Sequence, residues 1–237
     1  MNGARRLSRR RTLAAVGIGA VGFLAGCAGG SGGSGADGTD DGDGNGEAGE
    51  ATPAGERLAP PVKGDPDAPV TLAVFEDYAC PHCADYNTDG FPELEAAYLD
   101  PGEIRYEHRD LPIPVADPGS FQAANAAREV QNRNGDGAFW IYAAALFERS
   151  GDIAVEAPTL FATIADEQGH GGEAVREAAV DRTHEETVQG DRQGAADLGV
   201  EATPSFVLNG EIVTSGFGPG TVEEVSAAVD EALSETG

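Results

Sequence analysis

Two cysteines separated by two residues carry the clearest chemistry in this sequence. They stand in the run Cys80-Pro81-His82-Cys83, and thiols at this spacing can close into a small disulfide with little movement of the backbone. A dithiol that opens and closes in this way can exchange disulfides with other proteins. We therefore identify Cys80 as the candidate nucleophile and Cys83 as the candidate resolving thiol.

The elements around the two cysteines favour a reactive Cys80. The apolar run at 70–75 predicts a buried strand, and residues 81–99 predict a helix that Gly90-Phe91-Pro92 should kink or break. Cys80 would then lie at a strand-to-helix junction, where free helical N–H groups and the helix dipole favour a thiolate. His82 can bring a positive charge or an N–H donor close to the Cys80 sulfur, and Pro81 and His82 together tune its pKa.

The rest of the chain predicts an α/β fold with a large helical insertion. A second strand is expected at 104–108, and Ala-rich helical segments follow over about 114–198, including separate helices at 120–132 and 138–148. A strand at 205–208, the turn Asn209-Gly210 and a further strand predict a hairpin, and a last helix starts at Thr221. Residues 58–237 would form one domain.

The dithiol and several other stretches resemble the DsbA-like branch of the thioredoxin superfamily. The stretches occur in the same order as in that family: Phe75-Glu76-Asp77-Tyr78, Cys80-Pro81-His82-Cys83, Arg109-Asp110-Leu111-Pro112-Ile113, Phe139-Trp140 with Leu146-Phe147-Glu148, and Val200-Glu201-Ala202-Thr203-Pro204-Ser205-Phe206. The resemblance covers residues 58–237 and implies a thioredoxin fold with an inserted helical subdomain. It also implies a thiol–disulfide oxidoreductase whose redox group is its own Cys80–Cys83 disulfide, with no separate cofactor.

The resemblance also implies a substrate-binding loop at Thr203-Pro204. In that family the matching proline is cis and faces the active-site disulfide, and the residue before it offers backbone groups to an extended substrate. From the sequence alone, Pro204 could equally be a trans proline that begins a strand.

One position departs from the family pattern. Many relatives carry a buried acid six residues before the first cysteine, and Val74 stands there in this chain. We expect Glu76 and Asp77 to lie on the loop after the strand. Glu107 on the neighbouring strand is a weak substitute, and the simpler interpretation of it is an ordinary exposed strand acid. The proton acceptor for Cys83 is therefore open at this point.

The N-terminus has the residue pattern of an export signal. Residues 1–26 place basic residues before a short apolar run, and Ser8-Arg9-Arg10-Arg11-Thr12-Leu13 resembles a twin-arginine motif. Leu24-Ala25-Gly26-Cys27 resembles a lipobox, so we expect Cys27 to be lipidated. Residues 27–57 are rich in Gly and acidic residues and predict a disordered tether. The expected location is outside the cytoplasm, anchored to the cell membrane.

The net charge of the chain limits the classes of partner that it can bind. With 15 basic and 41 acidic residues, the formal net charge is −26, and such a surface repels nucleic acid. At about 1 M salt the Debye length falls to about 3 Å and screens this self-repulsion, so the composition indicates adaptation to high salt. The expected partners are thiols or disulfides of exported proteins, an unidentified membrane redox partner, and the membrane through the lipid anchor.

Other functions for the two cysteines remain open. A static disulfide would close so short a loop that it would constrain the unfolded chain only slightly. A structural zinc site needs four ligands, whereas Cys80, His82 and Cys83 supply at most three, so we expect no metal site. Two thiolates can bind copper(I), which keeps a copper metallochaperone as an alternative. A lipoprotein whose thioredoxin-like domain only docks partners is the other alternative.

Overall fold

A mixed β-sheet organises the part of the chain that the structure, a computed structural model, describes: residues 56–114 and 116–236. The strands are β1 (Val62–Gly64), β2 (Thr71–Glu76), β3 (Arg105–Asp110), β4 (Ser205–Leu208) and β5 (Glu211–Ser215). They lie in the order β1-β3-β2-β4-β5. The β2–β3 pair is parallel and the other neighbouring pairs are antiparallel. The predicted strands are confirmed within about two residues, and β1 was not predicted.

The hairpin between β4 and β5 turns where the sequence places it. Asn209 has φ 50° and Gly210 has φ 90°, so both residues occupy the left-handed region that a type I′ turn requires. Asparagine and glycine adopt this region more readily than other residues. The Asn209-Gly210 pair therefore sets the turn locally, before any tertiary contact is made.

A continuous helical run follows Cys80. It consists of α1 (Pro81–Asp85), a π-helical turn (Tyr86–Gly90), α2 (Phe91–Leu94) and a second π-helical turn (Glu95–Leu99). The backbone stays helical at Gly90 and Phe91, so Pro92 does not break the helix. The Phe91 N–H instead reaches back to the Tyr86 carbonyl. These wider turns accommodate the irregularity that the sequence predicted as a kink.

Helices fill the chain between β3 and β4. They are α3 (Gly119–Glu148), a 3₁₀ turn (Ser150–Asp152), α4 (Ile153–Glu156), α5 (Thr159–Glu167), α6 (Gly172–Asp181) and α7 (Glu185–Leu198), and α8 (Thr221–Thr236) ends the described chain. The two helices predicted at 120–132 and 138–148 form the single element α3. Gly135 interrupts its geometry with φ 81° and ψ 177°, a conformation that glycine adopts easily.

The two faces of the sheet pack against different helices. Leu72 and Val74 belong to an apolar cluster that includes Val225 of α8. Phe75 belongs to a second cluster, which Ala195 of α7 covers. This alternation follows from the side-chain period of a strand and buries both faces of β2. The α/β class predicted from the sequence is confirmed.

Cys80 and Cys83 belong to a third apolar cluster, formed mainly by the inserted helices and including Phe139 and Phe147. The dithiol therefore lies where the end of the sheet meets the helical insertion. Among the described residues, no helix has both the length and the apolar character needed to cross a bilayer. The predicted export signal, Cys27 and residues 28–55 of the predicted tether lie outside the described residues.

Candidate active site

Cys80 occupies the position that helix geometry makes most favourable for a thiolate. It is the N-cap of α1, with an extended backbone (φ −81°, ψ 121°). Pro81 is the first helical residue, where a missing N–H does no harm. The Cys80 carbonyl accepts the N–H groups of Cys83 and Ala84, each at 3.1 Å. Cys80 therefore lies directly at the N-terminal end of α1.

The surroundings of Cys80 stabilise its charged form. A hydrogen bond from the Cys83 thiol lowers the pKa of Cys80 to about 5, although burial opposes the shift. Thr203 and the backbone N–H groups of Cys83 and His82 add to the lowering. The His82 side chain is exposed, so its contribution to the sulfur comes through its backbone. Cys80 is consequently a thiolate at neutral pH.

Cys83 has the opposite character. Its side chain is fully buried, and burial, followed by the hydrogen bond to Cys80 and the charge of Glu76, raises the pKa of Cys83 well above its ordinary value. Both cysteines are free thiols in this structure. The pair therefore combines one ionised sulfur with one that keeps its proton, which is the asymmetry that directed disulfide exchange needs.

The predicted substrate loop lies against the nucleophile. The Thr203–Pro204 peptide bond is cis, both residues are buried, and the Cys80 Sγ lies 3.6 Å from the Thr203 carbonyl oxygen. The Thr203 hydroxyl is buried and has no partner at ordinary hydrogen-bond length, so its proton is free to turn toward the sulfur. The structure thus brings together Cys80, Cys83 and Thr203, with Pro204 beside them.

Glu76 is not on a loop, which corrects the expectation from the sequence. It is the last residue of β2 and only 2% exposed. Pairing with β3 continues to the end of that strand, where Glu76 stands opposite Asp110. The Glu76 carboxylate accepts a hydrogen bond from Asn87 Nδ2 at 2.6 Å and lies 3.2 Å from His108 Nδ1. The sheet therefore carries a buried acid close to the cysteines, although Val74 is apolar.

A chain of buried charges continues from Glu76 into the helical insertion. The other ring nitrogen of His108 lies 3.2 Å from Asp110 Oδ1. Arg128 of α3 donates to Asp110 at 2.5 Å and to Asp191 of α7 at 2.8 Å. Burial alone would lower the pKa of His108, but hydrogen bonds to Asp110 and Glu76 raise it to about 9. His108 is therefore positively charged at neutral pH, with Glu76 on one side of its ring and Asp110 on the other.

Sequence reasoning did not assign roles to His108, Asn87 and Arg128. One signal was present in β3, where His108 and Asp110 are two residues apart and so share one face of a strand that must be buried on both sides. Polar residues at such positions require partners. No comparable local pattern marks Asn87 or Arg128, because their partners come from distant segments.

Two further acids near the end of the sheet make different contacts. Glu107 and His108 are neighbours in β3, so their side chains lie on opposite faces of the sheet. The Glu107 carboxylate pairs with Arg105 and Arg109, each at 2.7 Å. Asp77 is buried and accepts the N–H groups of Ala79 and Ile113, each at 2.8 Å. Burial raises the pKa of Asp77 to about 6. Glu107 is therefore neither the substitute acceptor nor the exposed acid that the sequence suggested, because it is only 7% exposed and paired with two arginines.

The described residues contain no group of three His, Cys, Asp or Glu side chains arranged to hold a metal ion. The arrangement supports disulfide exchange by the two cysteines. Its parts come from the end of β2, the start of α1 and the loop before β4.

Comparisons with known proteins agree with this site. The family model described as Thioredoxin matches residues 57–231. Disulfide bond formation protein D of Bacillus subtilis is 30% identical over 156 residues, which cover 65% of this chain and 69% of that protein. A solved structure of oxidised BdbD from Bacillus subtilis has a TM-score of 0.67 and 28% identity, over 74% of this chain and 93% of that one.

A Na(+)/H(+) antiporter, NhaA 1 of Salinispora arenicola, is also similar, with 30% identity over 175 residues. The match takes 74% of this chain but only 25% of that antiporter. The family match and the likeness to the disulfide bond formation protein confirm the resemblance read from the sequence. The chain belongs to the thioredoxin superfamily and, within it, to the DsbA-like branch.

Proposed function

We propose that this thiol–disulfide oxidoreductase works outside the cytoplasm, where it oxidises the thiols of exported proteins through its Cys80–Cys83 pair. The single observation that carries the proposal is the split between the two sulfurs. Cys80 is held as a thiolate beside Thr203, while burial keeps the proton on Cys83. Because of this difference, Cys80 is a sulfur that attacks and leaves easily, while Cys83 stays a protonated thiol.

The oxidising reaction balances in two steps. A substrate thiolate attacks the Cys80 sulfur of the disulfide, the Cys80–Cys83 bond breaks, and the electron pair leaves on Cys83, which takes up a proton. The second thiolate of the substrate then attacks the substrate sulfur of the mixed disulfide, and Cys80 leaves as a thiolate. Two electrons pass from the substrate to the protein, and a redox partner must then reoxidise the dithiol.

The low pKa of Cys80 supports the oxidising direction. A thiol with a low pKa leaves faster, and stabilising the reduced form makes a disulfide a stronger oxidant. The predicted export signal would place the protein in a compartment where disulfides form and persist, which also favours oxidation. The reverse stroke, in which Cys83 releases a mixed disulfide, would serve isomerisation or reduction of substrates.

The membrane attachment rests on the N-terminal sequence. A lipid on Cys27 and the acidic tether would hold the domain near the membrane surface and close to a membrane redox partner. The charge of −26 suits an external medium of high salt, which screens self-repulsion. The substrates would be thiols of exported proteins, and the redox partner would be a membrane acceptor of two electrons.

The test uses the full chain in high salt and a reduced, unfolded substrate protein with several thiols. We expect the oxidised protein to form substrate disulfides stoichiometrically and Cys80→Ser to form none. A docking module would bind the substrate equally well with Cys80→Ser and oxidise nothing. A copper chaperone would bind copper(I) in the reduced form and lose binding with Cys80→Ser or Cys83→Ser, without oxidising thiols.

A further inference from the structure

A groove runs along the face of the sheet that α7 only partly covers. This sheet groove encloses about 470 Å³ between α7 and the strands β2, β3 and β4. Ala73, Phe75 and Val207 form an apolar floor, and Leu198 of α7, which is 39% exposed, forms part of one wall. A methyl group added at Gly194 of α7 would meet no other described atom within 4 Å. The absence of a side chain at Gly194 therefore leaves the sheet groove unfilled on its α7 side.

The two ends of the sheet groove have different surroundings. Arg109 lines one end, where its guanidinium pairs with Glu107 at 2.7 Å and with Asp191, in the middle of α7, at 3.1 Å. The turn Asn209-Gly210 lines the other end, beside the start of β2, because the Asn209 side chain accepts the N–H of Thr71 at 2.9 Å. The charges at the first end are paired with one another, so the sheet groove suits an uncharged, apolar occupant.

The first described residues of the chain lie close to the Arg109 end. The Leu58 N–H donates to Thr187 Oγ1 of α7 at 3.0 Å. A methyl group at Gly190 would collide with the guanidinium of Arg57, so this guanidinium lies directly on the glycine. Thr187, Gly190 and Gly194 follow one another at spacings of three and four residues, which places them on one side of the helix. Arg57 therefore lies on the side of α7 that lines the sheet groove, about one helical turn before Gly194.

Residues 51–55 come directly before the described chain and match the sheet groove in chemistry. Their sequence is Ala-Thr-Pro-Ala-Gly, without a charge, whereas residues 37–50 carry six acidic side chains that an apolar groove would exclude. Pro53 has no N–H that would need a partner there. Residues 51–55 are therefore the part of the predicted tether that can enter an apolar groove at low cost.

The length of this segment also fits. The eight-residue step from Gly190 to Leu198 rises about 12 Å along α7, and five extended residues span about 16 Å. A segment that begins at Arg57 and follows α7 can therefore reach the Asn209-Gly210 end of the sheet groove.

We propose that residues 51–55 dock in extended form along the sheet groove, with Ala51 and Pro53 facing its apolar floor. Alternate residues of an extended chain face the same side, so Thr52 and Ala54 face solvent. The occupant is a segment of this same chain, because Arg57 already holds the neighbouring residue against α7. This docking needs no redox chemistry, so it goes beyond the proposed function.

Docking would set the point at which the tether leaves the domain. The segment would end beside Asn209-Gly210 and Thr71, at the start of β2, whereas Cys80 follows the other end of that strand. Residues 28–50 would therefore start from the end of the sheet opposite to the dithiol. A tether fixed in this way keeps Cys80 open to substrates and away from the chain that leads to Cys27.

The first test looks for the contact itself. The full chain, labelled with ¹³C at alanine, leucine and valine methyl groups, is studied by NMR in high salt. We expect nuclear Overhauser effects from the Ala51 methyl group to the methyl groups of Val207 and Leu198. The Ala36 methyl group, in the same predicted tether, should give none and is the internal control.

Two aspartate variants test the orientation of the segment. Ala51→Asp puts a charge against the apolar floor and should shift the methyl signals of Val207 and Leu198, as undocking would. Ala54→Asp puts the same charge into solvent and should leave these signals in place. No Overhauser effect from Ala51 to the sheet groove in the natural protein, together with unchanged groove signals in Ala51→Asp, would overturn the proposal.

The second test blocks the sheet groove. Gly194→Leu fills it without a clash against the described atoms, and leucine is a better helix former than glycine. Cleavage of the full chain after Glu50 by a glutamate-specific protease is followed by mass spectrometry. If the segment is docked nine-tenths of the time, cleavage should be about tenfold faster in Gly194→Leu than in the natural protein, because proteolysis tracks the open population.

The matched control is Gly137→Leu, at an exposed helical glycine of α3 that also has open space around it, and it should be cleaved at the natural rate. Equal cleavage rates in Gly194→Leu, Gly137→Leu and the natural protein would overturn the proposal. Protection that grows with protein concentration would assign the sheet groove to the segment of a second copy and would overturn it as well. Thiol oxidation, measured on the same samples, tests the proposed function separately.

Discussion

The Cys80 sulfur lies 3.6 Å from the carbonyl oxygen of Thr203, although the two residues are 123 positions apart in the chain. This contact joins the start of α1 to the loop before β4, two segments that meet only because β2 and β4 are neighbours in the sheet. It places the reactive sulfur beside backbone groups that an extended substrate could pair with.

Alkylation should show the split between the two thiols. With iodoacetamide and mass spectrometry, the rate at Cys80 should rise with a midpoint near pH 5, while Cys83 stays unmodified at neutral pH. Cys83→Ala removes the hydrogen bond that most lowers the pKa of Cys80, so the midpoint should move to higher pH. A Cys80 midpoint near the unperturbed value of about 8.5 would falsify the claim of an activated thiolate.

Replacing Thr203 by valine should change reactivity without loss of stability. The hydroxyl helps to lower the pKa of Cys80 and has no other partner, so Thr203→Val should raise that pKa. The protein should become a weaker oxidant, because its reduced form is less stabilised. Removing a buried unsatisfied hydroxyl should leave the free energy of unfolding unchanged or raise it by about 1 kcal/mol.

Glutathione redox titration measures the potential of Thr203→Val, and urea unfolding measures its stability. Ser205→Ala is a useful comparison. The Ser205 hydroxyl bonds to the Ala202 carbonyl and the Ser215 hydroxyl, each at 2.7 Å, so its removal should lower stability. An unchanged potential in Thr203→Val would mean that the hydroxyl does not act on the sulfur.

Stability should depend on pH through His108. Its pKa is about 9 in the folded protein and about 6.5 when unfolded. A raised pKa means that the stabilisation is fully present below about pH 6.5 and is lost as the pH rises through 9. The difference in unfolding free energy between the natural protein and His108→Gln should therefore shrink by about 3 kcal/mol over this window.

Urea unfolding of the oxidised protein at constant salt, from pH 6 to 10, measures this difference without titrating free thiols. His170→Gln provides the control, because burial lowers the pKa of His170, which is the opposite direction to the shift of His108. A difference that stays constant across the window would show that His108 is neutral in the folded protein.

Arg128 should be the most sensitive of the ion-paired residues. Its guanidinium is fully buried between Asp110 and Asp191, so Arg128→Met removes the cation that these two buried carboxylates share. Breaking a buried pair in this way destabilises a protein by about 3–5 kcal/mol. Arg176→Met removes an exposed pair with Glu173 and should change stability little, because water screens an exposed pair.

Both variants are compared by urea unfolding at pH 7 in high salt. Because salt screens exposed pairs much more than buried ones, the loss in Arg128→Met should persist at the highest salt at which the protein stays soluble. Similar losses in the two variants would contradict the burial of this network.

Local chemistry in the sequence determined much of this protein. The spacing of Cys80 and Cys83, the apolar run before them and the Asn209-Gly210 turn each act over a few residues, so they predict a redox pair, a buried strand and a hairpin without knowledge of the fold. The joint order of the motifs predicted the DsbA-like branch.

The tertiary structure decided what surrounds the two sulfurs. Glu76 appeared to be a loop residue because the apolar run ends before it, yet pairing with β3 carries the strand through it. Asn87 and Arg128 meet their partners from distant segments, and their roles depend on distances that no local pattern encodes. Hydrophobic periodicity and turn chemistry are short-range, whereas the pKa of a buried thiol or carboxylate depends on charges and donors that only folding brings together.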